Sequence, residues 1–220
     1  MKWLATIVVL ALPWPAPGQQ KKAVTPALLP SLPARPGAIA PGTWVLYSLY
    51  NRSTRQPGLI RLAALEREGK GQWFEMAVTD HRQLTLRTKV LVEGAIAAPR
   101  RVLKAIVQPP GQQPLLLPDK LAARQVPSFS AKPTDKTRLV SRGKLKVAAG
   151  TFVCERHRST SGPTHDFWLS DQVAGWPLVK LETPTLTVEL AARGSAARSE
   201  IKGTPLKLDE KLLDSLPPIR

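Results

Sequence analysis

The chain has a single cysteine, Cys154, so no disulfide can close within it. An odd cysteine in an exported chain is either buried apolar filler or a reactive thiol, and the filler reading carries more weight here. Histidine is almost as scarce. His81, His157 and His165 are the only three, and with Cys154 they form no zinc-ligand spacing. A glycine-rich phosphate loop and a G-x-S-x-G elbow are both missing. Acidic residues number 16 against 32 lysines and arginines. The acidic pairs that occur, such as Glu66 with Glu68 and Asp209 with Glu210, read as surface ion pairing rather than acid–base machinery. These scarcities point away from an enzyme, and no metal or cofactor is expected. With four Phe and two Tyr, not interleaved with the arginines, the aromatic content argues against nucleic acid as a partner.

Long apolar runs are also lacking. The longest, from Trp3 to Leu12, is interrupted only by Thr6 and is about half the ~20 residues that span a bilayer. With Lys2 before it and Ala16-Pro17-Gly18 after it, residues 1–18 read as a secretory signal peptide. No cysteine follows directly, so the expectation is an exported, periplasmic or secreted protein that is not lipid-anchored. No transmembrane segment is expected once the signal is removed.

Positive charge and proline are plentiful. The net charge of +16 raises anionic envelope surfaces, lipid head groups or another envelope protein as partners. The alternative is a solvated basic face, since the charges spread along the whole chain. Of the 22 prolines, many punctuate residues 19–41, which read as an extended tether.

Residues 42–205 read as one β domain. Residues 43–51 (TWVLYSLYN) are strand-like and read as covered on both faces for part of their length. A turn at Gln56-Pro57-Gly58 leads to a strand over residues 59–66, whose segment 63–66 reads equally well as helix, and a turn over 69–71 leads to another strand over 72–79. There Trp73, Glu75 and Ala77 share one face, and Phe74, Met76 and Val78 the core face. Residues 83–92 alternate cleanly. Pro99 then opens a predicted short helix over 100–107, where Leu103, Ile106 and Val107 fall at helical spacing. A second short helix is predicted over 119–124. An insertion from about 95 to 132 thus interrupts the β pattern as a candidate lid. Strands resume at 137–147, with later ones at 186–190 and 199–202. Residues 206–220 read as a short helix, capped by Asp209, and a tail.

The densest stretch of strand and turn signals is 144–182. It reads as a meander, with strands at 151–158, 165–170 and 178–181. A hairpin centred between Ser161 and Gly162 would set His157 opposite Asp166 and Arg158 opposite His165. Cys154 and His157 form a C-x-x-H string, but odd spacing on a strand sends the two to opposite faces. Cys154-based activity therefore stays the lesser alternative.

The motifs Ala149-Gly150-Thr151-Phe152, Phe167-Trp168-Leu169-Ser170-Asp171 and Leu178-Val179-Lys180, with Cys154, His157 and Val173, resemble exported bacterial β-proteins. These belong to the lipoprotein-localisation-factor (LolA/LolB-like) half-barrel superfamily. The likeness covers about a quarter of the mature chain. It implies a curved antiparallel sheet around helical segments, with a cavity that holds acyl chains in the best-known members. The chain differs from those carriers in its proline-rich tether, its insertion and its basicity. No carrier residue maps onto a numbered position here.

The expected fold is mainly β, a strongly curved antiparallel sheet (half-barrel) of eight to ten strands with short covering helices. The expected function is to bind a hydrophobic or amphipathic ligand, a lipid or lipid-linked partner, through Trp44, Trp73, Phe74, Trp168 and Trp176. The alternative is a non-enzymatic protein-interaction or scaffold module of the envelope whose core is filled by its own side chains.

Overall fold

The computed structural model describes residues 32–33, 39–96, 98–122, 129–130, 137–159 and 164–208. The predicted signal peptide, most of the tether and nearly all of the predicted C-terminal helix lie outside these residues. In chain order the elements are β1 (Leu32–Pro33), β2 (Trp44–Asn51), β3 (Gln56–Glu68), β4 (Gly71–Thr79), β5 (Thr85–Ala95) and β6 (Ala98–Gln108). Then come β7 (Leu115–Leu116), α1 (Asp119–Ala122), β8 (Phe129–Ser130), β9 (Thr137–Val147) and β10 (Gly150–Ser159). The last four are β11 (His165–Leu169), β12 (Leu178–Glu182), β13 (Leu186–Gly194) and β14 (Leu206–Lys207).

Twelve of the strands form one open sheet in the order β14-β7-β6-β5-β4-β3-β2-β13-β12-β11-β10-β9. Two meanders, β2 to β7 and β9 to β13, are joined where β13 pairs antiparallel with β2. The short β1 and β8 pair separately. The fold class is mainly β, as the strand patterning indicates. α1, four residues long, is the only helix among the described residues.

The sheet is bent. Ala149, in the turn between β9 and β10, donates its amide to Leu190 O of β13 at 3.3 Å. In a flat sheet, β9 and β13 would lie about 19 Å apart, at 4.8 Å per strand. Farther along, Trp176, in the β11–β12 connection, packs against Leu62 of β3, Phe74 of β4 and Val90 of β5. Strands from both meanders share one buried cluster on this inner face, including Tyr47, Ile60, Phe74, Val92, Leu181 and Val188. A smaller cluster, Ala63, Leu65, Trp73 and Leu91, sits on the outer face of β3 to β5.

The structure moves several predicted boundaries. The first turn comes earlier than Gln56-Pro57-Gly58, because Asn51 Oδ1 accepts from the amides of Ser53 and Thr54, each at 3.0 Å. Those three residues already pair with β2. Residues 100–107 are not helical but form most of β6, hydrogen-bonded to β5, so the insertion joins the sheet instead of lying over it. The register shifts at Leu91/Val92, where Leu103 is the extra residue on β6. This bulge sends Val102, Ala105 and Val107 to the inner cluster and Leu103 and Ile106 to the outer one. Apolar residues thus fall three and four apart on a strand covered on both sides, which mimics a helix. Of the second predicted helix, Asp119–Ala122 is present.

Residues 199–202 form no strand. They belong to an extended strap, residues 195–208, that crosses the outer face from β2 to β7. Ser195 O accepts from Trp44 Nε1 at 3.2 Å, and Gln108 exchanges hydrogen bonds with Lys202. Thr204 O accepts from Gln113 Nε2, and Leu206 then pairs with Leu115 in β14, where the C-terminal helix had been expected to begin. Before β14 the strap's backbone is met largely by side chains, together with Gly42 O, which accepts from Ala197 N at 2.8 Å.

Candidate functional site

The inner face is the place to look for a ligand cavity, and around Trp176 the described residues of the chain itself occupy it. Trp176 is 1% exposed, and the space left beside it, between Leu62, Phe74, Met76 and Thr88, is about 10 Å³. That is room for one water at most. Gly175 allows the insertion: its φ is +77°, and a Cβ there would meet Ile39 Cγ2 at 2.6 Å. Tyr47 Oη donates to Leu178 O at 3.1 Å, fixing the end of the same connection, and burial pushes the phenol's pKa up. The Trp176 indole N–H is buried without a partner.

The five residues predicted to bind ligand are not brought to one place. Phe74 and Trp176 lie on the inner face. Trp73, adjacent to Phe74 on a strand, points to the outer face and packs on Ala63, Leu65 and Leu91. Its Nε1 donates to Glu68 at 2.8 Å, and Lys89 Nζ stands 4.7 Å from its ring centre. Trp44 packs against that outer cluster beneath the strap. Trp168 is half-buried against the main cluster and stands in a row across five strands: Arg156, Trp168, Lys180, Glu189 and Ser48. Arg156 and Lys180 flank its ring at 5.0 and 5.6 Å from the centroid, within cation–π range.

The hairpin register differs from the predicted one by one residue. Arg158, not His157, is opposite Asp166, and His157 is opposite Phe167. Asp166 is thereby clamped by Arg158 Nε at 2.7 Å, Arg158 Nη2 at 2.8 Å and Arg156 Nη2 at 2.7 Å. His157 instead contacts Glu155 at 3.1 Å. The hydrogen bonds from Arg158, then those from Arg156 and the two charges, hold the Asp166 carboxyl at about 2, against the opposing effect of burial. Its ordinary value is 3.8.

Because the folded value is depressed, this clamp stabilises the fold fully above the ordinary value. That contribution is lost as pH falls from about 4 towards 2. Solvent screening reduces it to on the order of 1 kcal/mol. Urea midpoints should therefore drop between pH 5 and pH 2 by more in the wild-type chain than in Asp166→Asn.

Cys154 is 2% exposed, its Sγ lies 3.7 Å from Phe152 O, and burial raises its pKa. A thiolate is therefore disfavoured. Ellman's reagent should leave the native thiol almost untouched and react promptly once guanidinium unfolds the chain. Fast native labelling would restore Cys154 as a nucleophile. Among the described residues, no three His, Cys, Asp or Glu side chains are grouped to hold a metal.

Two features were not singled out from the sequence. An open groove of about 570 Å³ lies between the start of β6 and α1, walled by Pro99, Val102 and Leu103 and rimmed by Arg100, Arg101, Lys120 and the acidic Asp119. The Arg100-Arg101 doublet was its readable trace, hidden by the helical reading of that segment. The other is Glu75, whose side chain is 0% exposed on the outer face. Glu75 Oε1 accepts from Glu200 N at 2.9 Å, Ser199 Oγ donates to Oε2, and Arg61 lies at 3.5 Å. A lone acid inside an apolar strand was the signal for it. It ties down the strap.

No protein-family model and no curated protein matches the chain. Among solved structures, the chain is similar to an exported protein with a YmcC-like fold from Bacteroides fragilis. The identity is 10% and the TM-score 0.36, over 74% of this chain and 100% of that one. It is also similar to a lipoprotein from Parabacteroides distasonis, at 10% identity and a TM-score of 0.37, over 76% of this chain and 100% of the other. At these scores neither likeness assigns a fold or a function to this chain. Among the described residues, no helix is long and apolar enough to cross a membrane.

Proposed function

We propose that the chain is an exported, non-enzymatic interaction module of the cell envelope that works through its surface, not through an internal cavity. The observation that carries this reading is the filled inner face, where Trp176 and the strands beneath it leave about 10 Å³. Ligand cavities for acyl chains or similar molecules run to roughly 300–1,000 Å³. Export rests on the leader-like residues 1–18, and kinship with the lipoprotein-localisation half-barrels on the meander motifs. The buried, poorly ionised Cys154 supports the absence of catalysis.

A second reading keeps an amphipathic ligand and moves it to the β6–α1 groove. The volume there is ligand-sized, the wall partly apolar, and the rim carries three cations against one acid, Asp119. An anionic head group would suit Arg100, Arg101 and Lys120. Native mass spectrometry of the purified protein, together with titration of a fluorescent fatty acid, separates the two. The module reading expects no co-purifying lipid and no saturable uptake. Stoichiometric lipid, lost in Arg100→Glu/Arg101→Glu, would replace it with the groove reading.

A further inference from the structure

The β9 edge of the sheet is open over residues 141–147 among the described residues. There β9 pairs only with β10, and most of its side chains are exposed. An unpaired edge presents a row of free N–H and C=O groups to any extended chain that can lie beside it.

The side chains of β9 restrict what that chain can be. Past the irregularity at Val140, residues 141–147 run in unbroken register with β10. Leu145 lies opposite buried Phe152, and both Leu145 and Val147 pack on the main core. On the other face stand Arg142, Lys144 and Lys146, opposite Glu155, Val153 and Thr151. Val153 is 57% exposed between them. Arg142 is paired with Glu155 at 2.8 Å, whereas no partner is seen for Lys144 or Lys146 among the described residues.

One face of the edge is therefore apolar and continuous with the core, and the other is cationic. A second copy of the chain fits poorly. An antiparallel pairing centred on Lys144, with the apolar faces together, sets Arg142, Lys144 and Lys146 against the same cations, and like charges directly opposite are destabilising.

We infer that the β9 edge is a strand-addition site for an extended segment of another protein in which acidic and apolar residues alternate. The apolar residues extend the core past Leu145 and Val147, the acids meet Lys144 and Lys146, and the backbone bonds to the free edge. This inference rests on the interaction-module reading and supplies the chemistry of its partner.

The test uses the full-length chain and a labelled seven-residue peptide of alternating Glu and Val, followed by fluorescence anisotropy. Saturable binding that weakens with added salt is expected for this peptide, and none for its Lys-Val counterpart. Lys144→Glu/Lys146→Glu should weaken the Glu-Val peptide at least about tenfold. Both positions are exposed, so the urea midpoint should stay put. Two further Glu-Val peptides, N-methylated at odd or at even residues, separate strand addition from charge attraction. In a strand, alternate amides face one neighbour, so one methylated peptide should lose binding and the other keep it.

Equal binding of the two methylated peptides, or no saturable binding of the parent, overturns the inference. So does a dimer in sedimentation that Lys144→Glu/Lys146→Glu strengthens or breaks. Co-purifying lipid would instead overturn the interaction-module reading, so the two failures are told apart.

Discussion

Trp176→Ala is expected to lose about 3–5 kcal/mol of stability, read as a lower urea midpoint at unchanged slope. The indole is buried where the two meanders face each other, resting on Leu62, Phe74 and Val90. Neither partner surface can close the gap without moving a paired strand, so most of the vacated volume should persist as a cavity. Trp176→Phe should lose much less, because the indole N–H makes no hydrogen bond that the substitution could remove. The same alanine variant probes function. Under the interaction-module reading, emptying the inner face weakens the fold and leaves fatty-acid uptake at background. Uptake of an acyl chain by the variant alone would identify Trp176 as a plug in a latent lipid site.

Glu75→Ala should lose about 2–4 kcal/mol and free the strap. The carboxylate has no exposure and serves three groups, the Glu200 amide, the Ser199 hydroxyl and Arg61. Arg61 retains Glu200 at 3.3 Å, which holds the loss below that of a fully orphaned ion. Hydrogen exchange at the Glu200 amide should accelerate in Glu75→Ala before global unfolding, while strand amides in β4 and β5 keep their protection. Glu75→Gln retains an acceptor for the amide and should fall between wild type and alanine. An alanine variant within about 0.5 kcal/mol of wild type, with slow exchange at Glu200, would mean that Trp44, Gln108 and Gln113 hold the strap without it.

The parts of the fold that can be read from the sequence are those where alternation and turns agree. β4 and β5 have alternating patterns bounded by glycine or an Asx turn, the meander from β9 to β12 has dense turn signals, and all of them fall within a few residues of expectation. β6 could not be read in this way, because the bulge at Leu103 shifts the apolar positions in a strand that is covered on both sides. The strap was mistaken for a strand because residues 199–202 are extended, and only tertiary partners show that they run across the sheet. On β4 the alternation puts Phe74 on the core face and Trp73 on the opposite one, as found, but the five aromatic anchors as a set could not be assigned to one place. That Trp73 and Phe74 diverge follows from strand geometry, whereas which side is concave depends on a bend that no local pattern encodes. The one-residue hairpin slip had a similar origin. Pairing Asp166 with two arginines outweighs pairing it with a single histidine.

The seam between β13 and β2 has a kinetic consequence. Ser48 and Glu189 meet there across 141 residues of chain, while every other antiparallel strand pair in the sheet joins sequence neighbours. Each meander can zip up from local hairpins, but the seam must wait until two distant ends diffuse together. Loop-closure entropy makes it the slow, rate-setting step of refolding. Until it forms, β2 and β13 are both raw edges. A freshly made chain therefore passes through a long aggregation-prone interval, the stage at which a chaperone has most to protect.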